Sequence, residues 1–354
     1  MQQKKILIIT RNYPPKTGGL EIFSYHLIRQ FRQKTETYTL TLSKGRIHLL
    51  WFLPYCLIAS MVLIKQHHIR RVHLCDGVLA PLGWILRRLF SVQVTVTVHG
   101  LDITYAHPLY QRMIPKLLAG FNTIICVSRA TRAECKKRGI PGKKCAVVGN
   151  GIDPQEFEPV DALGERIRYL QKLSGLTILP ENKILLTVGR LIKRKGVTWF
   201  LANVFPQLDG RYIYLIVGSG TEREAIHKLI NCLGVEKRVA VLSHLSDRDR
   251  NQLYHSADLF LMPNIVVPGD VEGFGITAIE AGACGLPVIA SDLQGLRDAV
   301  VHGITGLRVP PHEPAGFLSA IETASFDRKT VAEYVHTHFS WESVGKSYFE
   351  RLMS

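Results

Sequence analysis

Short apolar runs alternate with stretches of helical periodicity along the whole chain. In the first half the apolar runs cover Lys5–Ile9, Val72–Leu74, Gln93–Val98, Thr123–Val127 and Cys145–Val148. In the second half they cover Lys183–Val188, Tyr212–Val217, Val239–Leu242, Leu259–Met262, Pro287–Ala290 and Gly306–Val309. Helical patterns lie between or after them at Glu21–Arg32, Arg129–Arg138 and Trp341–Met353. Strands that are spaced by helices form βαβ units, so the pattern predicts an α/β protein with parallel sheets.

A stretch rich in turn-forming residues, 149–160, separates the two sets of strands. Since 354 residues exceed the usual size of one domain, we predict two doubly wound, Rossmann-like domains that face each other across a cleft. The N-terminal domain spans 1–152 and is followed by a linker region, 153–180. The C-terminal domain spans 181–354, and its final helix crosses back over the junction.

Residues that follow the strands are the first functional candidates, because ligands bind beyond the carboxyl ends of the strands in such sheets. In the first half these candidates are Asn12–Gly19, Asp76, His99–Asp102 and Ser128. Gly18 and Gly19 allow a close approach of backbone to a phosphate, in front of a helix. A Gly-Gly turn alone is more often an ordinary connection.

The segment Leu49–Ile64 is apolar for 16 residues without a charge. It is shorter than the ~20 residues that cross a bilayer, and Pro54 interrupts it. Three readings stay open: a core helix packed on the sheet, a core helix that also dips into a membrane surface, and a true span. Cationic residues flank the segment, which suits the second reading: Arg46, Lys65, Arg70 and Arg71.

Charge is distributed unevenly between the halves. Residues 1–152 contain 23 Lys and Arg against 5 Asp and Glu, and residues 153–354 contain 21 against 24. The balances of +18 and −3 make up the net charge of +15. We therefore expect the first half to meet an anionic membrane surface or substrate. Nucleic acid is not expected as a partner, because no recognition motif accompanies the charge. Seven scattered cysteines without Cys-x-x-Cys spacing fit a reducing cytosol and no zinc site.

The segment Val271–Ser291 carries the most specific chemistry. Its glutamates Glu272 and Glu280 have seven residues between them, and a glycine-containing loop leads from the first into a predicted helix, Ile276–Ala283. Glu272 can accept hydrogen bonds from sugar hydroxyls and Glu280 from a ribose diol. The exposed N–H groups of the first helical turn suit an electron-rich ligand. The same pattern would also fit a capped helix with surface acids.

This segment resembles the E-x7-E signature of family 4 retaining glycosyltransferases, with the Gly-x-Pro-Val that follows it. The resemblance runs from the Gly-Gly loop to the final helix and implies the GT-B fold. The stretch Pro263–Asp270 is similar to the loop of the subgroup of bacterial mannosyltransferases that act on phosphatidylinositol mannosides. The resemblance also implies that Phe274, Gly275 and Ile276 contact the donor.

The stretch Thr187–Gly196 places Arg190 and Lys195 after a strand, where cations can neutralise a departing diphosphate. The resemblance assigns this role to them, whereas Lys193 and Arg194 are expected to face solvent. A lone histidine is more often structural, but the family places one at His99, against donor sugar and acceptor. Asp102 is expected to orient that loop or the acceptor.

Base recognition is expected at the strand ends that carry Gly218 and Ser243. Many relatives have glycine at position 243, so a GDP-sugar and a UDP-sugar both remain open as donors. The resemblance implies that the chain needs no metal and no other cofactor. The pair Asp247 and Asp249 is expected to lie in a surface loop as a helix cap rather than as a metal site.

The implied activity is retaining transfer of a hexose to a lipid-linked or saccharide acceptor. We expect it in bacterial envelope synthesis, such as that of lipopolysaccharide or exopolysaccharide, at the inner face of the cytoplasmic membrane. A nucleotide-sugar epimerase on the same fold would instead convert donor without acceptor. A non-enzymatic cationic binding protein would bind nucleic acid with a steep salt dependence. A phosphorylase would need a lysine in a pyridoxal-binding context, and the sequence shows none.

Overall fold

A computed structural model describes residues 4–15, 18–42, 48–159 and 166–353, with the backbone alone for Leu49 and Leu50. They group into two compact units. The first contains Met1–Gly151, Gly269–Phe274 and Trp341–Ser354, and the second contains Ile152–Pro268 and Gly275–Ser340. The segment Gly269–Phe274 therefore groups with the first unit, although it follows most of the second along the chain. Residues 160–165 of the predicted linker, and Arg46 beside the apolar segment, lie outside the described residues.

Each unit contains one six-stranded sheet in which every pair is parallel. The first sheet is formed by β1 (Lys5–Thr10), β2 (Glu36–Thr41), β3 (Arg71–Leu74), β4 (Gln93–Val98), β5 (Thr123–Cys126) and β6 (Cys145–Val147). The second is formed by β7 (Lys183–Val188), β8 (Tyr212–Val217), β9 (Val239–Leu242), β10 (Leu259–Met262), β11 (Val288–Ser291) and β12 (Gly306–Val309). The predicted α/β class is confirmed.

Helices connect the strands. They are α1 (Gly19–Arg32), α2 (Leu49–His67), α3 (Ala80–Leu89), α4 (Leu101–Thr104), α5 (Pro108–Ala119), α6 (Arg129–Lys137), α7 (Arg166–Ser174), α8 (Val197–Asn203), α9 (Arg223–Leu233), α10 (Asp247–Ser256), α11 (Ile276–Ala283), α12 (Leu296–Ala299), α13 (Pro314–Thr323), α14 (Arg328–Phe339) and α15 (Trp341–Met353). No helix of the described part of the chain is both long and apolar enough to span a membrane.

The strand order of each sheet marks where a ligand is expected. In the first unit the order is β2-β1-β3-β4-β5-β6. The chain adds β2 on one side of β1 and the later strands on the other side, so the strand order reverses between β1 and β3. In the second unit the order is β12-β11-β10-β7-β8-β9, and the reversal lies between β7 and β10. Ligands of doubly wound sheets bind at such reversals, outside the carboxyl ends of the strands.

The first sheet is covered on both faces because its strand residues are apolar on both sides. Leu7 and Ile9 belong to the core that includes the buried residues of α2, α3 and α5. The alternate residues Ile6 and Ile8 pack with α1 and α15, as the period of two in a strand requires. Continuous apolar strands of this kind are typical of parallel sheets.

The second sheet has a corresponding core. Leu185, Tyr214 and Ile216 on its central strands pack with Phe200 of α8 and Phe317 of α13. The three aromatic rings lie 5.3 to 6.1 Å apart between centroids, in edge-on arrangements. These contacts fix β7 and β8, the strands that precede Arg190 and Gly218.

Candidate functional site

Arg11 and Asp76 lie at the strand reversal of the first unit, directly beyond β1 and near the end of β3. The Arg11 guanidinium forms an ion pair with Asp76 at 3.0 Å, and Asn12 Nδ2 donates to the same carboxylate at 3.4 Å. Asp76 also caps the short turn that follows β3, because its Oδ1 accepts from Val78 N at 2.9 Å. Burial raises the pKa of the Asp76 carboxyl, and the Arg11 charge opposes this rise. The strand-end rule singled out Asp76, but Arg11 has no sequence signal beyond its position after β1.

His99 follows β4 and has a defined tautomer. Its Nε2 lies 2.9 Å from the Cys75 carbonyl oxygen, which can only accept, so Nε2 carries the proton. Phe23 packs edge-on against the ring at 4.7 Å between centroids. Burial lowers the pKa of His99 to about 4, against the opposing effects of the Cys75 carbonyl and Asp76. The imidazole is therefore neutral near pH 7, and its Nδ1 is an acceptor.

Asp102 holds the loops after β3 and β4 together. Its Oδ1 accepts from His99 N at 2.8 Å, and its Oδ2 accepts from Gly77 N at 2.9 Å. The carboxylate is buried, which raises its pKa, while the two N–H donors lower it. Both oxygens are thus engaged by backbone. Any contact of Asp102 with an acceptor stays a prediction.

The loop that carries Glu272 packs on His99 within the first unit. A Cβ on Gly273 would lie 2.0 Å from the His99 carbonyl oxygen, so only glycine fits here. The ring of Phe274 similarly lies against Gly149, where a Cβ would be 2.8 Å from the ring edge. Glu272 is buried beside these contacts. The structure therefore brings the first glutamate of the signature into the unit that contains His99.

Gly18 and Gly19 begin α1, with Gly18 as its N-cap residue and Glu21 in its first turn. The Gly18 carbonyl oxygen accepts from Ile22 N at 3.1 Å. Two residues of the same loop, Lys16 and Thr17, lie outside the described residues. The strand-to-helix connection predicted from the Gly-Gly turn is present. Its contact with a donor phosphate stays a prediction.

Glu280 lies on α11 in the second unit and is oriented by a tyrosine. Tyr254 of α10 donates its hydroxyl to Glu280 Oε2 at 2.8 Å, and both side chains are buried. Burial raises the pKa of the Glu280 carboxyl, whereas Arg250 and the Tyr254 hydrogen bond lower it. Sequence reasoning found Glu280 but not Tyr254, which looks like any apolar position of an amphipathic helix.

In the cationic stretch after β7, the solvent exposure of one side chain differs from the prediction. Arg190 and Lys193 are exposed and Lys195 is half-buried. Arg194, which was expected to face solvent, is 3% exposed, and this expectation is wrong. The short turn Lys193–Lys195 packs on the chain after β10, where Ile265 N donates to the Arg194 carbonyl oxygen at 2.9 Å.

The predicted base-recognition residues follow β8 and β9. Gly218 N donates to the Leu242 carbonyl oxygen at 2.9 Å, and a Cβ on Gly218 would lie 1.8 Å from the Gly189 carbonyl oxygen. Ser243 is half-buried in the next loop. Gly275 is the N-cap residue of α11, and Ile276 is its first residue.

The expectation that Asp247 and Asp249 cap a helix from a surface loop is wrong in one respect. Both lie inside the first turn of α10, and the N-cap residue is Ser246. The Ser246 hydroxyl accepts from Asp249 N at 3.0 Å. The acids instead stand at the positive end of the helix dipole, which stabilises them there.

Two family models cover most of the chain. The model described as Glycosyltransferase Family 4 matches residues 8–156, and the model described as Glycosyl transferases group 1 matches residues 174–337. The chain is 30% identical over 292 residues to an uncharacterised glycosyltransferase of Methanocaldococcus jannaschii, covering 78% of this chain and 73% of that protein. This chain is a family 4 glycosyltransferase.

Other relatives of this glycosyltransferase carry more specific names. It is 26% identical over 353 residues to the GDP-mannose-dependent alpha-(1-6)-phosphatidylinositol monomannoside mannosyltransferase of Mycolicibacterium smegmatis, covering 92% of this chain and 91% of that one. The Anabaena protein HepE, solved in complex with UDP, superposes with a TM-score of 0.80 at 19% identity, covering 99% of each chain. The predicted family, the GT-B fold and the transferase activity are confirmed.

The site residues of this glycosyltransferase fall into two groups. Within the first unit the structure brings together His99, Asp102, Glu272 and Phe274, and Gly18 and Gly19 follow a neighbouring strand end of that sheet. The second unit contains Arg190, Lys195, Gly218, Ser243, Gly275, Ile276 and Glu280. The two glutamates of one short sequence signature thus belong to different units.

Proposed function

We propose that this glycosyltransferase transfers a hexose, with retention of anomeric configuration, from a nucleoside-diphosphate sugar to a lipid-linked or saccharide acceptor. The observation that carries the proposal is the packing of the Glu272 loop on the His99 carbonyl. It supports the proposal because the loop that packs there carries the buried Glu272, and the loop it packs on carries the neutral imidazole of His99 with Nδ1 as an acceptor. A carboxylate and an imidazole nitrogen on two packed loops suit a ligand that offers several hydroxyl donors.

In the proposed mechanism the diphosphate leaves while cations stabilise its growing charge. Arg190 and Lys195, which follow β7, supply the positive charge. Preorganised cations of this kind stabilise the transition state more than the ground state. Glu280 accepts hydrogen bonds from the ribose hydroxyls, and Glu272 accepts hydrogen bonds from the hydroxyls of the transferred sugar. Glu272 is not assigned as a nucleophile, so the departing phosphate takes the acceptor proton on the same face of the sugar.

The donor is proposed to be GDP-mannose or a UDP-hexose. The mannosyltransferase name of a relative supports the first, and the UDP and UDP-glucose complexes of HepE support the second. The loops that carry Gly218 and Ser243 would decide between the bases. We expect transfer without any metal or other cofactor, since Arg190 and Lys195 supply the charge that a divalent ion would otherwise supply. Full activity in excess EDTA is the expected result.

We place the reaction at the inner face of the cytoplasmic membrane, in bacterial envelope glycan or glycolipid synthesis. The phosphatidylinositol name of a relative and the excess of cations in residues 1–152 support an acceptor presented at an anionic surface. A saccharide precursor of lipopolysaccharide or exopolysaccharide fits the same description.

The test is a transfer assay with GDP-mannose and UDP-glucose, each offered with a bacterial lipid extract and with simple saccharides. Release of nucleoside diphosphate should require an acceptor, and NMR of the product should give the anomeric configuration of the donor. Conversion of the donor without an acceptor would mean an epimerase instead. An inverted product would contradict the retaining assignment.

A further inference from the structure

Three neighbouring helices that pack on one face of the first sheet contain no acid. The helices α2, α3 and α5 have no Asp or Glu in their sequences, but they contain Lys65, Arg87, Arg88, Arg112 and Lys116. They belong to one core with the sheet, and α3 contacts both α2 and α5. We call these three helices the cationic layer.

Within this layer α2 is apolar on its outer as well as its inner face. Phe52, Cys56, Ser60 and Ile64 are buried. The opposite stripe is exposed, with Trp51 at 50%, Tyr55 at 52%, Ile58 at 65% and Val62 at 45%. A surface helix normally presents polar residues at the outer positions. The stripe ends at Lys65, the first charged residue of the helix.

The neighbouring helices continue this mixture of apolar and cationic residues. On α3 the exposed residues are Trp84, Arg87, Arg88 and Leu89, with the Arg88 guanidinium 4.9 Å from the centroid of the Trp84 ring. On α5 Leu109 and Met113 are exposed one turn apart, beside Arg112 and Lys116. Exposed apolar side chains that gather on neighbouring helices are typical of an interaction site.

We propose that the cationic layer is a docking surface for an anionic lipid bilayer. Trp and Tyr side chains favour the membrane–water interface, and Lys and Arg favour anionic headgroups. A second copy of the same face would oppose five cations with five cations, so the charge disfavours a dimer through this surface. Because the inner face of α2 belongs to the protein core, the helix lies flat on the bilayer and does not cross it.

The full-length protein is tested by co-sedimentation with vesicles of phosphatidylglycerol and phosphatidylcholine, and with phosphatidylcholine alone. We expect the protein to bind the anionic vesicles and to be released from them by about 0.5 M salt. The double variant Arg87→Glu/Arg88→Glu should weaken binding at least about 30-fold, because each lost cation costs about fivefold and the introduced acids add repulsion. The matched control is Lys228→Glu/Lys329→Glu, which makes the same charge change on exposed lysines of the second unit.

The apolar contribution is tested separately with Trp51→Gln/Ile58→Gln, which should reduce binding about tenfold or more while far-UV circular dichroism is unchanged. Leu179→Gln, an exposed leucine of the second unit, is the control. Failure to bind anionic vesicles, equal loss in the controls, or a concentration-dependent dimer that the Trp51 variant abolishes would overturn the proposal. Transfer to a water-soluble acceptor should persist in these variants, so the docking proposal and the proposed activity can fail independently.

Discussion

At the scale of single residues, hydrogen bonds to backbone decide what the polar groups of the first unit can do. The Cys75 carbonyl accepts a hydrogen bond from Nε2 of His99 and so keeps the proton there. Both carboxylate oxygens of Asp102 accept hydrogen bonds from backbone N–H groups. His99 is therefore available as a neutral acceptor through Nδ1. Neither role follows from residue identity, since the sequence gives only the order of these residues along the loop.

The lowered pKa values of two buried histidines in the first unit predict a loss of stability in mild acid. Burial lowers the pKa of His73 to about 3 and that of His99 to about 4, from an ordinary value of 6.5. The unfolded chain therefore binds their protons first, and stability falls as the pH drops below 6.5. Between about pH 6.5 and pH 5 each should cost roughly 2 kcal/mol.

The test is the change in thermal midpoint between about pH 7 and pH 5, in the parent chain and in His73→Gln. His73 Nδ1 lies 2.9 Å from Thr95 Oγ1, and His73 Nε2 lies 3.2 Å from Thr97 Oγ1. The glutamine of the variant offers the two hydroxyls an uncharged polar side chain. The raised pKa values of Asp76 and Asp102 act in the opposite direction, so the comparison with the variant is decisive. An equal acid-induced shift in both proteins would refute the role of His73.

Tyr254→Phe tests how Glu280 is positioned in the second unit. Loss of the 2.8 Å hydrogen bond should raise the KM for the donor about tenfold with little change in kcat. The preference for a donor with an intact ribose over its 2′-deoxy analogue should fall as well. Tyr214→Phe is the control, because it removes a buried hydroxyl bonded to Thr187 in the same unit. Equal kinetic effects in both variants would indicate a merely structural role.

At the scale of elements, the close contact between two loops fixes the position of Glu272. Gly273→Ala would place a methyl group 2.0 Å from the His99 carbonyl oxygen, so the loop must move. We expect a loss of transfer of about 100-fold or more, although no polar group is removed. Gly210→Ala is the control, since a Cβ there meets nothing within 4 Å and Gly210 is not among the glycines with a left-handed backbone. Comparable activity in the two variants would mean that this contact does not position Glu272.

The turn after β7 offers a test with its own internal control. Lys195→Ala should reduce kcat by about 100- to 1,000-fold with an unchanged melting temperature, because it removes charge needed only in the transition state. Lys193→Ala, two residues away and exposed, should be close to the parent enzyme. Glu272→Ala should likewise abolish transfer with little loss of stability. Full activity of either the Lys195 or the Glu272 variant would contradict the site.

Most strands could be predicted because their apolar runs are continuous, and β7, β8, β9 and β10 have the predicted bounds. The edge strand β2 was missed, since its sequence, Glu36–Thr41, is mostly polar and half-buried. The helices α3 and α5 were also missed. For Leu49–Ile64 the core helix that the first two readings share is confirmed by its buried side chains. Its exposed stripe is not visible in the sequence, because the run is apolar throughout.

At the scale of the whole molecule, the chain order and the structural units differ. Gly269–Phe274 and Trp341–Ser354 group with the first unit, although both follow the linker in sequence. The packing of Gly269–Phe274, in which Gly273 contacts the His99 carbonyl, has no local pattern from which it could be predicted. The signature around Glu272 and Glu280 is recognised by its resemblance to the family motif, but that resemblance does not predict its division between the two units.

The central claim is that a nucleotide-sugar donor binds through Glu280. Calorimetric titration of GDP-mannose and UDP-glucose into the parent chain and into Glu280→Ala tests it most directly. We predict binding of one donor to the parent chain, and a loss of affinity of about tenfold or more in the variant, because the ribose hydroxyls lose a charged acceptor. Absence of binding by both donors, or equal affinity in the two proteins, would contradict the account.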